Sequence, residues 1–240
     1  MNLNTEGKFN KLSFSSTNKN TQYIKKIKEF IKKNKSKNLK VLDIGCGDGS
    51  ILEALRNDSQ TFEYTGIDVS EVNISEALKR RKDEKTEFVL SDYLKKSFIS
   101  KFDLIISYST LNLICDPVTL MKKMQSELHQ DGTMLICVPY SCLRTRIYII
   151  LRYIIKFLSR FGLLSFIELL ANRLLNSLFS KDQINQSLIY MTIIPKFIWN
   201  NKTEEMAKVI GLKVSSENKE YPKIIGKLSH KIIILKKIIN

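Results

Sequence analysis

Apolar and polar positions alternate in blocks through the middle of this chain, and each block has the spacing of a strand or a helix. Val41-Leu42-Asp43-Ile44 is an apolar run interrupted by one carboxylate, and it passes directly into Gly45-Cys46-Gly47-Asp48-Gly49-Ser50. Ile51 to Arg56 then reads as helix. Phe62 to Asp68 predicts a second strand, residues 70–83 a helix, and Thr86 to Leu90 a third strand with Asp92 just beyond it. Phe102 to Ser107 predicts a fourth strand. Residues 117–129 predict a helix opened by Asp116-Pro117, a capping side chain followed by a first-turn proline. Gly132 to Val138 predicts a fifth strand, Thr203 to Ile210 a helix with Thr203 as its cap, Gly211 to Ser215 a sixth strand and His230 to Leu235 a seventh. Glu217 to Ser229, with Pro222 and Gly226, is expected to be a long hairpin loop.

Strands separated by helix-sized segments imply right-handed βαβ units, and near-continuous apolar strands imply a sheet covered on both faces. The expected fold class is therefore α/β, a doubly wound and mostly parallel sheet, in one domain over residues 1–240. Ligands of such sheets bind outside the carboxyl ends of the strands. Ahead of the sheet, residues 1–36 form a basic polar tail and a helix. In that helix Tyr23, Ile24, Ile27, Phe30 and Ile31 share one face, and Lys25, Lys26, Lys28, Lys32 and Lys33 fill the other. It either packs on the domain or forms a lid.

The alternation stops at Pro139. Residues 143–200 are an insertion, the expected helical cap. Within it Ile147, Ile150, Leu151, Ile154, Ile155 and Leu158 form a broad apolar face, with Arg144, Arg146, Arg152, Lys156 and Arg160 among them. A second apolar helix follows Gly162. Three readings stay open: a roof over an acceptor pocket, a contact for an anionic membrane through 143–180, or an oligomer interface.

The 240 residues are 43% hydrophobic and 26% charged, enough apolar content for a core. Lys and Arg number 39 against 24 acidic residues, a net charge of +15. That surplus fits a solvated basic surface or an anionic partner. Cys46, Cys115, Cys137 and Cys142 form no CxxC pair, so neither a disulfide frame nor a metal site is expected. The first residues lack the apolar core of a secretory leader, and no run of about 18 uncharged apolar residues occurs. The expectation is a cytoplasmic protein, with the inner face of a membrane as an open alternative location.

A glycine-rich turn after a strand can receive several ligands. No Gly-Lys-Ser/Thr follows, as a P-loop requires, and the third glycine comes one position too early for a dinucleotide fold. Asp43 and Asp48 beside the loop would repel a pyrophosphate and favour a cationic ligand. Asp68, 19 residues after Gly49, suits ribose hydroxyls, and Asp92 suits an adenine amine. These residues describe a nucleoside with a cationic amino acid tail.

Val41 to Ser50 resembles the first motif of class I S-adenosylmethionine-dependent methyltransferases. Gly66-Ile67-Asp68-Val69-Ser70 resembles their second-strand acidic motif. Ser91-Asp92, Phe102 to Ser107 and Leu128 to Ile136 resemble the motifs that follow, in order. The resemblance covers residues 40–140 and hardly reaches 143–200. It implies a seven-stranded sheet in the order 3-2-1-4-5-7-6, with strand 7 antiparallel, and S-adenosylmethionine as cofactor. It implies that Asp43, Gly45, Gly47 and Gly49 lie against the methionine part. Asp68 would hold the ribose and Val69 pack on adenine. Asp92 would meet the adenine amine, with Tyr93 beside it. Ser107, past the fourth strand, would lie near the sulfonium.

A hydroxyl acceptor usually also needs a base. His129 falls at the wrong end of the fifth strand. His230, opening an antiparallel seventh strand, falls at the ligand edge and is the candidate base, against the reading of an ordinary surface histidine. Tyr108, Asn112 and Tyr140 are expected in loops at the same edge, able to orient an acceptor. Ser107-Tyr108-Ser109-Thr110 lacks the Asp/Asn-Pro-Pro-aromatic motif of amino-methylating nucleic acid enzymes, which makes nucleic acid the less favoured partner. The favoured acceptor is small or lipophilic: lipid-linked, quinone-like or glycan-derived. An RNA methyltransferase using its basic surface and a non-catalytic cofactor-binding protein are the alternatives.

Overall fold

The computed structural model describes residues 22–34, 38–56, 62–80, 83–114, 116–175, 177, 180–220 and 228–238. The polar tail, Cys115, Pro222 and Gly226 lie outside the described residues. In chain order the elements are α1 (Gln22–Lys33), β1 (Lys40–Ile44), α2 (Ser50–Leu55), β2 (Glu63–Asp68), α3 (Glu71–Lys79) and β3 (Thr86–Leu90). Next come β4 (Phe102–Tyr108), α4 (Leu111–Ile114), α5 (Pro117–Glu127), β5 (Leu128–Pro139), α6 (Leu143–Arg160) and α7 (Leu164–Leu175). The chain ends with α8 (Lys181–Met191), α9 (Asn201–Val209), β6 (Leu212–Glu220) and β7 (His230–Lys237).

The strands form one sheet in the order β3-β2-β1-β4-β5-β7-β6. β1 pairs in parallel with β2 and β4, and β4 with β5, while β7 runs antiparallel to both β5 and β6. This is the expected topology. Its cause is visible along single strands, where alternate side chains enter opposite apolar layers. Leu42 and Ile44 join one layer with Ile105, Met134, Ile136 and Ile233, covered by Met121 and Met124 of α5. Val41 joins the other with Leu104, Ile106, Leu135 and Ile232, covered by Tyr23 and Ile27 of α1 and Leu52 of α2. The apolar face of α1 is thus core, and Tyr23 Oη donates to Leu135 O at 2.9 Å. The lid reading of α1 is replaced by packing.

Several boundaries differ from expectation. Asn200 caps α9, its Oδ1 accepting from Thr203 N–H at 3.0 Å, because the side chain three residues earlier reaches the open donor. Thr203 is not the cap. β6 continues to Glu220, so the first part of the expected loop pairs with β7 instead. β5 begins at Leu128, four residues early, across a register irregularity opposite Phe102 and Leu104.

The insertion is built differently from a helix pair laid on the sheet. Within α6 the buried positions are Thr145 and Arg152, whereas Ile147, Ile150, Leu151 and Ile154 are exposed. Arg152 is therefore not a surface charge. Its Nη1 donates to Ile193 O at 2.7 Å and its guanidinium lies over the Tyr190 ring at 4.5 Å. A buried guanidinium requires partners, and it finds them at the end of α8 and on the segment just after it. That segment returns to the body: Ile193 packs with Leu113, Lys196 N–H donates to Asn112 O at 2.6 Å, and Trp199 N–H to Pro139 O at 2.7 Å.

Arg152→Met keeps the apolar stem but strips Ile193 O of its donor. It is expected to cost about 2 kcal/mol of stability, the scale of a hydrogen bond to a charged group. Chemical denaturation measures the cost, and hydrogen exchange should speed up first at residues 190–199.

Candidate functional site

β1 ends under the glycine turn, and the turn stays stitched to β2: Gly45 N–H and Cys46 N–H both reach Ile67 O, at 2.8 and 3.2 Å. Gly45 has φ +74°, and a Cβ there would collide with the Thr110 side chain. The turn after β1 and the chain after β4 therefore touch, and only a bare residue permits it. Gly66 is bare for a related reason, since a Cβ would lie 2.8 Å from Phe88 and 2.9 Å from Cys46 Sγ.

Asp43 is fully buried below this turn. Tyr64 Oη donates to its Oδ2 at 2.5 Å, while Oδ1 has no partner among the described residues. Burial pushes the carboxyl from its ordinary 3.8 up to about 7; Tyr64 opposes the rise and the nearby Asp68 adds to it. An orphaned carboxylate oxygen at a glycine turn fits an ammonium ligand group. Asp68 closes the end of β2, its Oδ2 accepting from Gly47 N–H at 3.0 Å and its Oδ1 from Ser70 N–H at 2.9 Å. Burial raises its pKa and these N–H donors hold it back. Both oxygens keep lone pairs for hydroxyl donors. Val69 follows, half-buried. Asp92 lies beyond β3, its Oδ1 accepting from Leu94 N–H at 3.0 Å. Asp43, Asp68 and Asp92 thus stand at the carboxyl ends of β1, β2 and β3, in the order a nucleoside with an amino acid tail requires.

Four expectations need correction. Asp48 does not add free charge to the loop: Arg80 Nη2 pairs with it at 3.1 Å and Ser50 N–H donates to it at 3.1 Å. The preference for a cation rests on Asp43 and Asp68. Ser107 lies inside β4, not past it, and its hydroxyl donates to Ile44 O at 2.7 Å, holding the start of the turn. Tyr93 is committed to the protein interior. It is buried in the core, its Oη donating to Glu127 Oε2 at 2.6 Å with Lys123 Nζ over its ring. Tyr108 is the last residue of β4 rather than a loop residue, and its ring meets Tyr23 edge-on at 5.1 Å.

The antiparallel β7 brings its first residue level with Pro139, so His230 lies at the same sheet edge. It is buried, which overturns the surface reading. Its Nδ1 is 2.8 Å from Leu228 O and its Nε2 is 2.7 Å from Ser109 Oγ. A carbonyl only accepts, so Nδ1 carries the proton and Nε2 accepts from the Ser109 hydroxyl in the neutral ring. Ser109 has φ +59°, an uncommon conformation for a residue with a Cβ. Tyr140 is buried in the core, bridged to Trp199, with its N–H on Ser229 O at 3.1 Å. Asn112 is buried on α4 with its Oδ1 unpartnered among the described residues. His129, by contrast, is exposed at the opposite end of β5. Ser109 and Thr110 were not singled out from the sequence. Each acts on a residue far away in the chain, His230 or Gly45, and no local pattern signals that.

A turn of bare glycines over a buried carboxylate, followed by acidic residues at two successive strand ends in this sheet order, defines a methyltransferase of the class that draws its methyl group from S-adenosylmethionine. Residues 35–206 match the family model described as a methyltransferase domain, and the chain belongs to that family. The malonyl-[acyl-carrier protein] O-methyltransferase of Acetivibrio thermocellus is 29% identical over 96 residues, covering 40% of this chain and 34% of that protein. The ubiquinone biosynthesis O-methyltransferase of Pelagibacter ubique is 31% identical over 127 residues, covering 51% of this chain and 52% of that protein. The chain thus spans between a third and about half of the length of these curated relatives. Among solved structures, PKMT2 from Rickettsia typhi superposes with a TM-score of 0.65 at 16% identity, over 93% of this chain and 54% of that one. Magnesium protoporphyrin IX methyltransferase from Synechocystis PCC 6803, with bound S-adenosylhomocysteine, superposes with a TM-score of 0.56 at 12% identity, over 90% and 82%. These likenesses establish the shared fold.

Asp68→Ala should weaken S-adenosylmethionine binding by at least ~10-fold, the loss of a buried charged acceptor, and isothermal calorimetry reads it directly. Asp43 makes binding pH-dependent. Its ionised form is the one that suits an ammonium, so affinity should fall as pH drops below about 7. Without ligand the sign is the reverse for the fold. The raised Asp43 carboxyl contributes stability in full below 3.8 and loses it as pH rises through about 7. Thermal melts across that range, with and without ligand, check both.

Proposed function

We propose that this protein transfers the methyl group of S-adenosylmethionine to an oxygen of a small or lipophilic acceptor, with His230 as the general base. The observation that carries the reading is the His230 pair: Nδ1–H fixed on Leu228 O, and Nε2 directed to Ser109 Oγ at 2.7 Å. The names of the relatives, acting on malonyl-[acyl-carrier protein] and in ubiquinone biosynthesis, support an oxygen acceptor carried on a lipophilic or bulky support.

When bound, S-adenosylmethionine supplies a methyl group already activated on a sulfonium. The residues of this chain then bind, orient and shield the reactants. Asp43 Oδ1 takes the ammonium, Gly45, Gly47 and Gly49 offer bare backbone to the methionine part, Asp68 takes the ribose hydroxyls, and Asp92 with Val69 takes the adenine. Ser107 holds the turn through Ile44 O. His230 Nε2 receives the proton of the acceptor hydroxyl, directly or through Ser109 Oγ, and Leu228 O steadies the resulting cation through Nδ1–H. Asn112, whose Oδ1 has no partner among the described residues, orients the acceptor, while Tyr140 stays in the core wall. Tyr108, turned onto Tyr23, supports the wall rather than the chemistry. We assign the exclusion of water to Ile189, Tyr190 and Ile193, which pack with Leu113 of α4, so that residues 188–199 serve as the roof.

His230→Gln tests the reading with labelled S-adenosylmethionine and a panel of alkyl catechols, whose hydroxyl must lose a proton when it is methylated. Turnover should fall by about 10²- to 10⁴-fold, the usual contribution of a positioned base, with donor affinity unchanged. Wild-type turnover in the variant removes His230 as base. No turnover of any oxygen acceptor by the wild type removes the acceptor class.

A further inference from the structure

The apolar stripe of α6 faces away from the body. Leu143, Ile147, Ile150, Ile154, Phe157 and Phe161 recur at intervals of three and four, one side of a helix, while the residues that bury are Thr145 and Arg152 on the other side. α7, reached through the turn at residues 161–163, is exposed as well. Phe166, Leu169 and Leu174 are 62%, 64% and 68% exposed, and no α7 residue is buried. Isolated exposed apolar residues need no explanation, but this many on two consecutive helices mark an interaction surface. Its charge says what kind. Besides the buried Arg152, residues 143–175 hold Arg144, Arg146, Lys156, Arg160 and Arg173 against a single acid, Glu168.

We propose that the α6–α7 hairpin is an interfacial docking surface for an anionic lipid bilayer, lying in the headgroup plane with its aromatic and aliphatic side chains in the acyl boundary. Phe157 and Phe161, stacked edge-on at 5.0 Å, form a compact apolar wedge at the turn between the helices. The flanking arginines meet lipid phosphates, each basic residue adding electrostatic attraction to an anionic leaflet. A second copy of this chain fits less well, because a two-fold contact would set the same cationic patch against itself. Among the described residues no helix is long and apolar enough to cross a membrane, so the hairpin rests on the surface. Docking orients the enzyme. α6 starts at Leu143, just past the Pro139–His230 pairing, so the sheet edge that carries the site is joined directly to the hairpin that meets the lipid. This consequence rests on the lipophilic-acceptor reading; the docking itself does not.

The experiment is vesicle flotation of the full chain with phosphatidylcholine alone and with phosphatidylcholine containing about one-third phosphatidylglycerol. Wild type should float with the anionic vesicles. Phe157→Asp with Phe166→Asp, and separately Arg146→Glu with Arg160→Glu and Arg173→Glu, should each lower the partition coefficient at least ~10-fold. S-adenosylmethionine affinity should stay unchanged in both, which reports an intact fold. Three results overturn the proposal: no flotation of the wild type, equal flotation of the variants, or equal binding to neutral vesicles. A concentration-dependent dimer abolished by the Phe pair, without flotation, overturns it in favour of a second copy. Flotation with no turnover of lipophilic acceptors faults the function instead and leaves the docking surface standing.

Discussion

The half-satisfied carboxylate of Asp43 is the constraint around which the sheet edge is arranged. A buried acid with one oxygen on Tyr64 and the other without a partner is costly, and the cost shows as a carboxyl pushed up to about 7. The surroundings fix it in place. Ile67 O ties the turn above it to β2, Ser107 ties Ile44 to β4, and Thr110 leaves room for Gly45 only as glycine. Three neighbouring strands thus converge on one electrostatic deficit, and a cationic ligand group is the natural means of removing it. The site is preorganised in the sense that its most unfavourable group is held rigidly, ready for a partner.

Sheet direction does the rest. In a wholly parallel sheet the first residue of a strand lies at the edge opposite the ligand. Because β7 reverses, His230 reaches the ligand edge beside Pro139, and there it meets Ser109. A histidine that opens an antiparallel strand is thereby delivered to a place that no parallel strand could supply from its start. Its tautomer is set by a neighbour two residues back, Leu228, so one short segment supplies both the ring and the acceptor that orients it.

Both apolar layers and the acidic triplet were legible because each is written locally: period-two apolar runs, glycines in a turn, a carboxylate at a strand end; the sheet order followed only from the resemblance of those motifs to a known family. What stayed illegible depends on pairs distant in sequence. Asp48 looked like free charge until Arg80, on the far end of α3, proved to pair with it. Tyr93 follows Asp92 directly, yet Glu127 draws it into the core. Arg152 looked like one more surface charge, because composition cannot tell which side of an amphipathic helix turns inward. Here the polar side packs on the Ile193–Tyr190 segment, and the apolar side is left facing out. The usual assumption that an apolar stripe marks the buried face failed at that one helix, where the surroundings of the stripe are not protein core.

The way the insertion is fastened has a consequence for change over time. Its entry and exit are clamped together at the sheet, where Tyr140 bridges Trp199, Ser141 N–H donates to Trp199 O and Trp199 N–H donates to Pro139 O. With the ends pinned, the entropic cost of a longer excursion between them grows only slowly with length. The segment behaves as an exchangeable cassette on a fixed socket. New sequence can be accommodated between residues 141 and 198 while strand register and the glycine turn stay as they are.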